Sequence, residues 1–248
     1  MSLTKHERIR QLAVVALPAL EGEVKKRLRR EVGAAAQRLG RTPELLDVGG
    51  RKSPYTVGMP ASVTVSDLER VSDIQHELHL GINHDIAHHH RVRRSNISGV
   101  VTDDMSATTL PSDSFDMVTS VEVIEHVDDD EAFVANISNV LRPNGVALLT
   151  TPNGDARPNP TGDHRRHYTR QQMHDLLSRH FEQVEVDYAV ALSPARTRGF
   201  TSWSPRRPDR TAISMISNLV SHRESQLSRL TDPPSQTAHL IALARRPK

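Results

Sequence analysis

The chain has 248 residues, enough to bury one full-sized α/β core, and no cysteine, which excludes a disulfide framework, a thiolate zinc site and a thiol nucleophile. Its 32 basic and 30 acidic residues leave a formal charge of +2 and aromatic residues make up 3% of the chain, so neither a dominant basic tract nor base-stacking platforms argue for nucleic acid as a partner. No run approaches the roughly 18 to 20 apolar residues that cross a bilayer, and the N-terminus lacks the order of a secretory signal, so a soluble, cytoplasmic protein with no membrane partner is expected.

Residues 4 to 40 read as helical, with Leu12, Val15, Leu20, Val24 and Leu28 as an apolar stripe and Pro18 as a break. The basic run Lys25, Lys26, Arg27, Arg29 and Arg30 reads as a solvated face or a substrate-facing lid. Together they predict an N-terminal helical extension over 1–43. From residue 44 short apolar runs alternate with helical segments, the pattern of βαβ units. Strands are expected at 45–48, 63–66, 99–102, 117–120, 146–150, 184–188 and 238–244. Helices are expected at 127–141 and 170–180, the first closed by the turn Arg142-Pro143-Asn144-Gly145. The segment 193–212, rich in Pro, Ser and Arg, reads as a loop or flap, within a loop or helical insertion over 193–235 before the last strand. The fold class predicted is α/β, a doubly wound, seven-stranded and mostly parallel sheet, with one catalytic domain over 44–248.

In such a sheet ligands sit beyond the carboxyl ends of the strands, where strand order reverses. Asp47 closes the first strand and is followed by Gly49 and Gly50, which admit close backbone approach. Asp67 ends the second strand at the spacing from which a carboxylate accepts from both hydroxyls of a ribose. Asp104 ends the third and can receive an adenine amino group beside Met105, and Ser120 stands at the end of the fourth.

These residues, with Leu110 to Val118 and Leu141 to Gly145, resemble the class I S-adenosylmethionine-dependent methyltransferases over 44 to about 190. The resemblance implies that Asp47 and the glycine loop face the methionine end of S-adenosyl-L-methionine, Asp67 its ribose, and Asp104 with Met105 its adenine. Arg51 and Ser53 stand where the family's second and third loop glycines would be, which puts the loop contacts in doubt.

After the fourth strand comes Glu122-Val123-Ile124-Glu125-His126. On a helical turn Glu122, Glu125 and His126 share one face, and the loop after the fifth strand brings Asp163-His164-Arg165-Arg166-His167-Tyr168 to the same rim. This pattern resembles the metal site of small-RNA 3′-terminal ribose 2′-O-methyltransferases, which implies Glu122, Glu125, His126 and His164 as ligands; His167 is the competing candidate from the second loop. A structural or proton-relay role for the Glu-His pair stays open, since many members of the superfamily carry it without metal. Carboxylate and imidazole ligands without sulfur suit Mg²⁺ or Mn²⁺, and a two-histidine carboxylate set also suits Fe²⁺. Catalysis is expected from His126, Glu125, His164 and His167.

A metal that chelates adjacent hydroxyls points to a sugar, hence a small glycan or glycoside substrate, and the overall build resembles methyltransferases of methylmannose polysaccharide synthesis. An RNA 3′-terminal ribose 2′-O-methyltransferase, a metal-independent small-molecule O-methyltransferase and a non-catalytic binding module remain as alternatives, and homo-oligomerisation is open. Arg196, Arg198, Arg206, Arg207 and Arg210 around Trp203 read as a flap over the substrate or an ordinary surface loop. His76, His79, His84, His88, His89 and His90 read as a solvated helix rather than a site.

Overall fold

The computed structural model describes residues 3–12, 16–68, 94–160, 162–200, 206–231 and 236–248. Val15, the histidines of 76–90 and Trp203 lie outside them. Seven strands form one sheet: β1 (Glu44–Val48), β2 (Ser62–Asp67), β3 (Ile97–Thr102), β4 (Phe115–Val121), β5 (Leu141–Pro152), β6 (Phe181–Ala191) and β7 (Thr237–Pro247). Their order is β3-β2-β1-β4-β5-β7-β6, with β7 antiparallel to both its neighbours and the remaining pairs parallel. The chain winds outward from β1 to β3 and then returns to β4, so the carboxyl ends of β1 and β4 flank a topological switch point.

The central strands feed two cores because side chains alternate across a sheet. Leu46, Val118, Ala147 and Leu149 join the core under α3 (Asp130–Val140) and α4 (Arg170–Ser178), whereas Leu45, Met117, Val146 and Leu148 face α2 (Ala19–Leu39). Helix α1 (Lys5–Leu12) precedes α2. The extension expected over 1–43 is therefore partly core. Val24, Leu28 and Val32 are fully buried against the sheet, each contributing about 2 kcal/mol of apolar burial. Of the basic run, Lys25 is buried and paired with Glu21 at 2.7 Å, and Arg27 reaches Asp187 at 2.7 Å, while Lys26, Arg29 and Arg30 are exposed.

Helix ends follow side-chain caps. Asp129 accepts the Ala132 amide at 2.9 Å, so α3 begins three residues later than the apolar pattern suggested. Thr169 and Gln172 form a capping box at the start of α4. The turn expected at 142–145 lies inside β5 as an irregular register, with Phe115 opposite Leu141 and Met117 opposite Val146, and Asn144 takes the left-handed conformation. The loop expected over 193–212 is helical at both ends, α5 (Pro194–Gly199) and α6 (Pro208–Thr231). Ser193 caps α5 by accepting from the Arg196 amide, and Pro194 and Pro208 each begin a helix, where proline's missing N–H is harmless.

Asp116 ties the start of β4 to the entrance of β1. It accepts both Arg41 terminal nitrogens at 2.7 and 2.8 Å and the Glu44 amide at 2.8 Å, with Arg142 at 3.1 Å. Burial alone would raise the Asp116 carboxyl, but these donors outweigh it and hold it below the usual carboxylate range. Asp116→Ala is expected to remove about 2–3 kcal/mol in urea denaturation, because Arg41 stays half in water while the amide loses its partner. Since the folded value is depressed, this stabilisation is complete above the ordinary aspartate pKa and disappears as pH falls through the folded value. Asp116→Asn should therefore flatten the acid limb of a stability profile.

Candidate active site

A cleft of about 350 Å³ opens at the switch point, lined among others by Gly49, Asp67, Asp104, Met105, Val123 and His126. Gly49 has φ 67°, and a Cβ there would lie 2.6 Å from Val123 Cγ2, so backbone and space both demand glycine. Gly49→Ala is expected to weaken nucleoside binding at least ~10-fold, since Val123 must be pushed into the cleft, and to cost ~1 kcal/mol in backbone strain. Calorimetric titration with S-adenosylhomocysteine checks this.

Asp67 accepts the Leu68 amide at 2.9 Å and the Arg51 amide at 3.4 Å, and burial pushes its carboxyl up. Asp104 caps a short turn by accepting the Ser106 amide at 2.9 Å, which orients Met105, a buried wall of the cleft. Asp103, Leu68 and Phe133 also line the space and were not singled out from the sequence. Two lie next to recognised strand ends; Phe133 arrives from α3 and carries no local signal.

Three expected contacts are displaced. Asp47 is buried outside the cleft lining, receives the Thr56 hydroxyl at 2.5 Å and faces Arg94, while its Cγ would lie 2.8 Å from a Cβ on Gly50. Asp47 thus braces the glycine turn from beneath, and Gly50 serves that contact. Ser120 is buried, and its hydroxyl has no hydrogen-bond partner.

Beyond Val123 the chain makes a single tight turn over Ile124–His126. Glu125 is wholly buried; the Thr151 hydroxyl stands nearby, but among the described residues neither carboxyl oxygen makes a well-formed hydrogen bond, and desolvation, reinforced by the charge of Glu122, pushes it up to about 9. The following loop is pinned to this turn, because the Arg165 amide donates to the Glu125 carbonyl at 2.7 Å. It carries His164 to within 4.7 Å of the His126 ring centroid. One donor atom from each of Glu125, His126 and His164 lies within 4.8 Å of the others.

The hydrogen bonds define imidazole tautomers. His167 Nδ1 donates to the Arg157 carbonyl at 2.6 Å, leaving Nε2 to accept from His164 Nδ1 at 2.8 Å. His164 therefore keeps a lone pair on Nε2. His126 Nδ1 faces the Asp163 carbonyl at 3.3 Å and its carboxylate at 3.2 Å, which likewise leaves Nε2 as the acceptor. Imidazoles anchored through one nitrogen with the other open are the usual arrangement of metal-ligating histidines. His167 orients His164 rather than replacing it. Burial and the neighbouring His126 and His167 lower the His164 pKa, favouring the neutral ring.

Glu122 departs from the expected ligand set. Its φ of 55° turns the side chain out of the helical register assumed for 122–126. Glu122 accepts the Thr150 hydroxyl at 2.8 Å and pairs with His239 Nδ1 at 3.0 Å, while Arg196 donates to His239 Nε2 at 2.8 Å. Burial alone would raise this carboxyl, but His239, Thr150 and Arg196 together hold it below the glutamate range. Glu122 is therefore a half-buried, ionised strut between β4, β7 and α5. The role of Arg196, expected in a flap, and of His239 came from tertiary packing that no local pattern announces.

The model of a family described as methyltransferase domain matches residues 20–218. A curated Mycolicibacterium smegmatis protein, named a probable S-adenosylmethionine-dependent methyltransferase, is 44% identical over 50 residues, 20% of each chain. Phosphoethanolamine N-methyltransferase 2 of Haemonchus contortus, solved with S-adenosyl-L-methionine, superposes with a TM-score of 0.52 at 16% identity. That match covers 88% of this chain and 53% of the nematode protein, so the chain spans about half of that relative. A SAM-dependent methyltransferase from Thermotoga maritima superposes with a TM-score of 0.51 at 13% identity, over 97% of this chain and 95% of its own. At these identities the superpositions establish the fold.

Proposed function

This chain belongs to the methyltransferase-domain family, and we propose that it transfers the methyl group of S-adenosyl-L-methionine to a hydroxyl oxygen of a sugar, with a divalent cation at Glu125, His126 and His164. One observation carries the reading: a buried acid with no well-formed hydrogen bond among the described residues stands beside two imidazoles with open Nε2 atoms, and His126 also lines the cleft at the switch point. Unpartnered buried acids are costly, and folds retain them where a ligand completes them.

The donor is a sulfonium and already activated, so the protein's task is alignment and removal of the hydroxyl proton. The acceptor oxygen would attack the methyl carbon as the carbon–sulfur bond breaks with its electron pair on sulfur, and the hydroxyl proton would pass to solvent water at the mouth of the cleft. Among the residues that line the cleft, Asp67 would accept from the ribose hydroxyls, and Met105 and Phe133 would enclose the purine. A bound cation would supply Lewis acidity and hold two vicinal oxygens, the reason for preferring a glycoside acceptor. With Glu122 committed elsewhere, two nitrogens and one carboxylate remain, a set that suits Mn²⁺ better than Mg²⁺, which prefers oxygen donors.

Exhaustive chelation should lower turnover on a panel of small glycosides at least ~100-fold, with Mn²⁺ restoring it. Turnover that survives chelation would remove the cation from the proposal and leave His126 and His164 as proton acceptors.

A further inference from the structure

Helix α6 is reversed relative to an ordinary surface helix. Its inward face is polar, with Ser214, Ser217, Asn218, Ser221 and Ser225 buried. That face is fixed by directed bonds: the Ser214 hydroxyl donates to the Gly199 carbonyl at 2.9 Å, and Asn218 Nδ2 to the Ala16 carbonyl at 2.9 Å. The Ser225 hydroxyl accepts the Ala191 amide at 3.0 Å. A Cβ on Gly199 would run into the Asn218 side chain, so this seating is close as well as polar. The outward face carries an apolar seam interrupted by the exposed Arg223: Ile213 is 55% exposed, Ile216 60%, Val220 44% and Leu227 60%, with Leu219 beside them at 47%.

At about 100° per residue, Ile213, Ile216, Val220 and Leu227 fall within an arc of roughly 60° that runs about 21 Å along the helix. Steps of three, four and seven residues make the a/d seam by which one helix packs on another. A helix that lies on a bilayer instead opposes a broad apolar face to a strongly charged one, whereas the face opposite this seam is serine-rich and packed inside the protein.

We propose that the seam is a homodimer interface in which the α6 helices of two copies of this chain pack antiparallel about a two-fold axis near Val220. The five apolar side chains expose roughly 500 Å² per copy, so pairing buries about 1,000 Å², the scale at which specific interfaces begin. An axis near Val220 sets Ile213 of each copy against Leu227 of the other and Val220 against its own copy, so the centre and both ends of the seam meet apolar partners, while Ile216 lies opposite Glu224. It also lays the exposed Arg206, Arg207 and Arg210, at the start of α6, beside the carbonyl end of the other copy's α6, where the helix dipole is negative.

Sedimentation velocity on the full chain at tens of micromolar tests this. The wild type is expected at twice the mass of one chain. Ile216→Lys/Val220→Lys is expected as a monomer with native circular dichroism and self-association weakened at least ~100-fold. Should that double variant fail to fold, Leu227→Lys alone must still weaken association. A wild type that is monomeric at this concentration, or a dimer that withstands these substitutions, would overturn the proposal. So would a monomer that floats with vesicles of anionic phospholipid, which would make the seam a membrane-contact surface.

Discussion

Glu125→Gln is expected to lower turnover about 10³-fold while leaving the protein at least as stable as the wild type. Glu125 is fully buried, and among the described residues neither of its oxygens makes a well-formed hydrogen bond. Burial and the negative charge of Glu122 therefore keep the metal-free native group protonated near neutral pH, and folding must take up that proton. Glutamine keeps the shape and takes up no proton, so the fold should gain up to about 1–2 kcal/mol, whereas the site loses its anionic donor. In metal-free protein the difference has a defined pH dependence. A carboxyl raised from 4.5 to about 9 takes up a proton on folding, so wild-type stability declines as pH rises through that window and the glutamine variant gains on it. Thermal melts at several pH values, set against turnover, check both halves. A variant that is less stable yet still active would make Glu125 a structural residue.

Asp67→Ala is expected to weaken S-adenosylhomocysteine binding ~10- to 100-fold, since a carboxylate that accepts ribose hydroxyls contributes roughly 1.5–3 kcal/mol. The loss should fall on cofactor affinity, with turnover at saturating cofactor largely retained. Within the protein Asp67 accepts only the Leu68 and Arg51 amides in described hydrogen bonds, so stability should change little. Unaltered affinity by calorimetry would place the nucleoside elsewhere.

The sheet was legible because each strand contains a short apolar run set between turn or helix signals, and the acidic strand ends were legible because Asp67 and Asp104 border the cleft directly. The proximity of Glu125, His126 and His164 was also legible, since the first two share one turn and the loop after β5 returns to the rim beside it. Glu122 stands apart from that cluster for a local reason: regular helical spacing assumes a negative φ, and the chain takes φ 55° there. Its true partner, His239, lies on β7, far along the chain, as Arg94 does from Asp47. Residues 193–212 were read as a loop because Ser, Pro and Arg dominate them, with a helical insertion left open as far as 235. The helix α6 was not delimited because its buried face carries Ser214, Ser217, Ser221 and Ser225, a pattern opposite to the apolar-in rule on which such readings depend.

The central claim is that the nucleoside cleft and the Glu125–His126–His164 cluster form one continuous site. Mn²⁺ added to chelated protein saturated with S-adenosylhomocysteine tests it through paramagnetic broadening of the bound ligand's proton resonances. Broadening that reaches saturation in the wild type and is lost in Glu125→Gln is the expected result. Sharp ligand signals in the wild type at saturating Mn²⁺ would contradict the account.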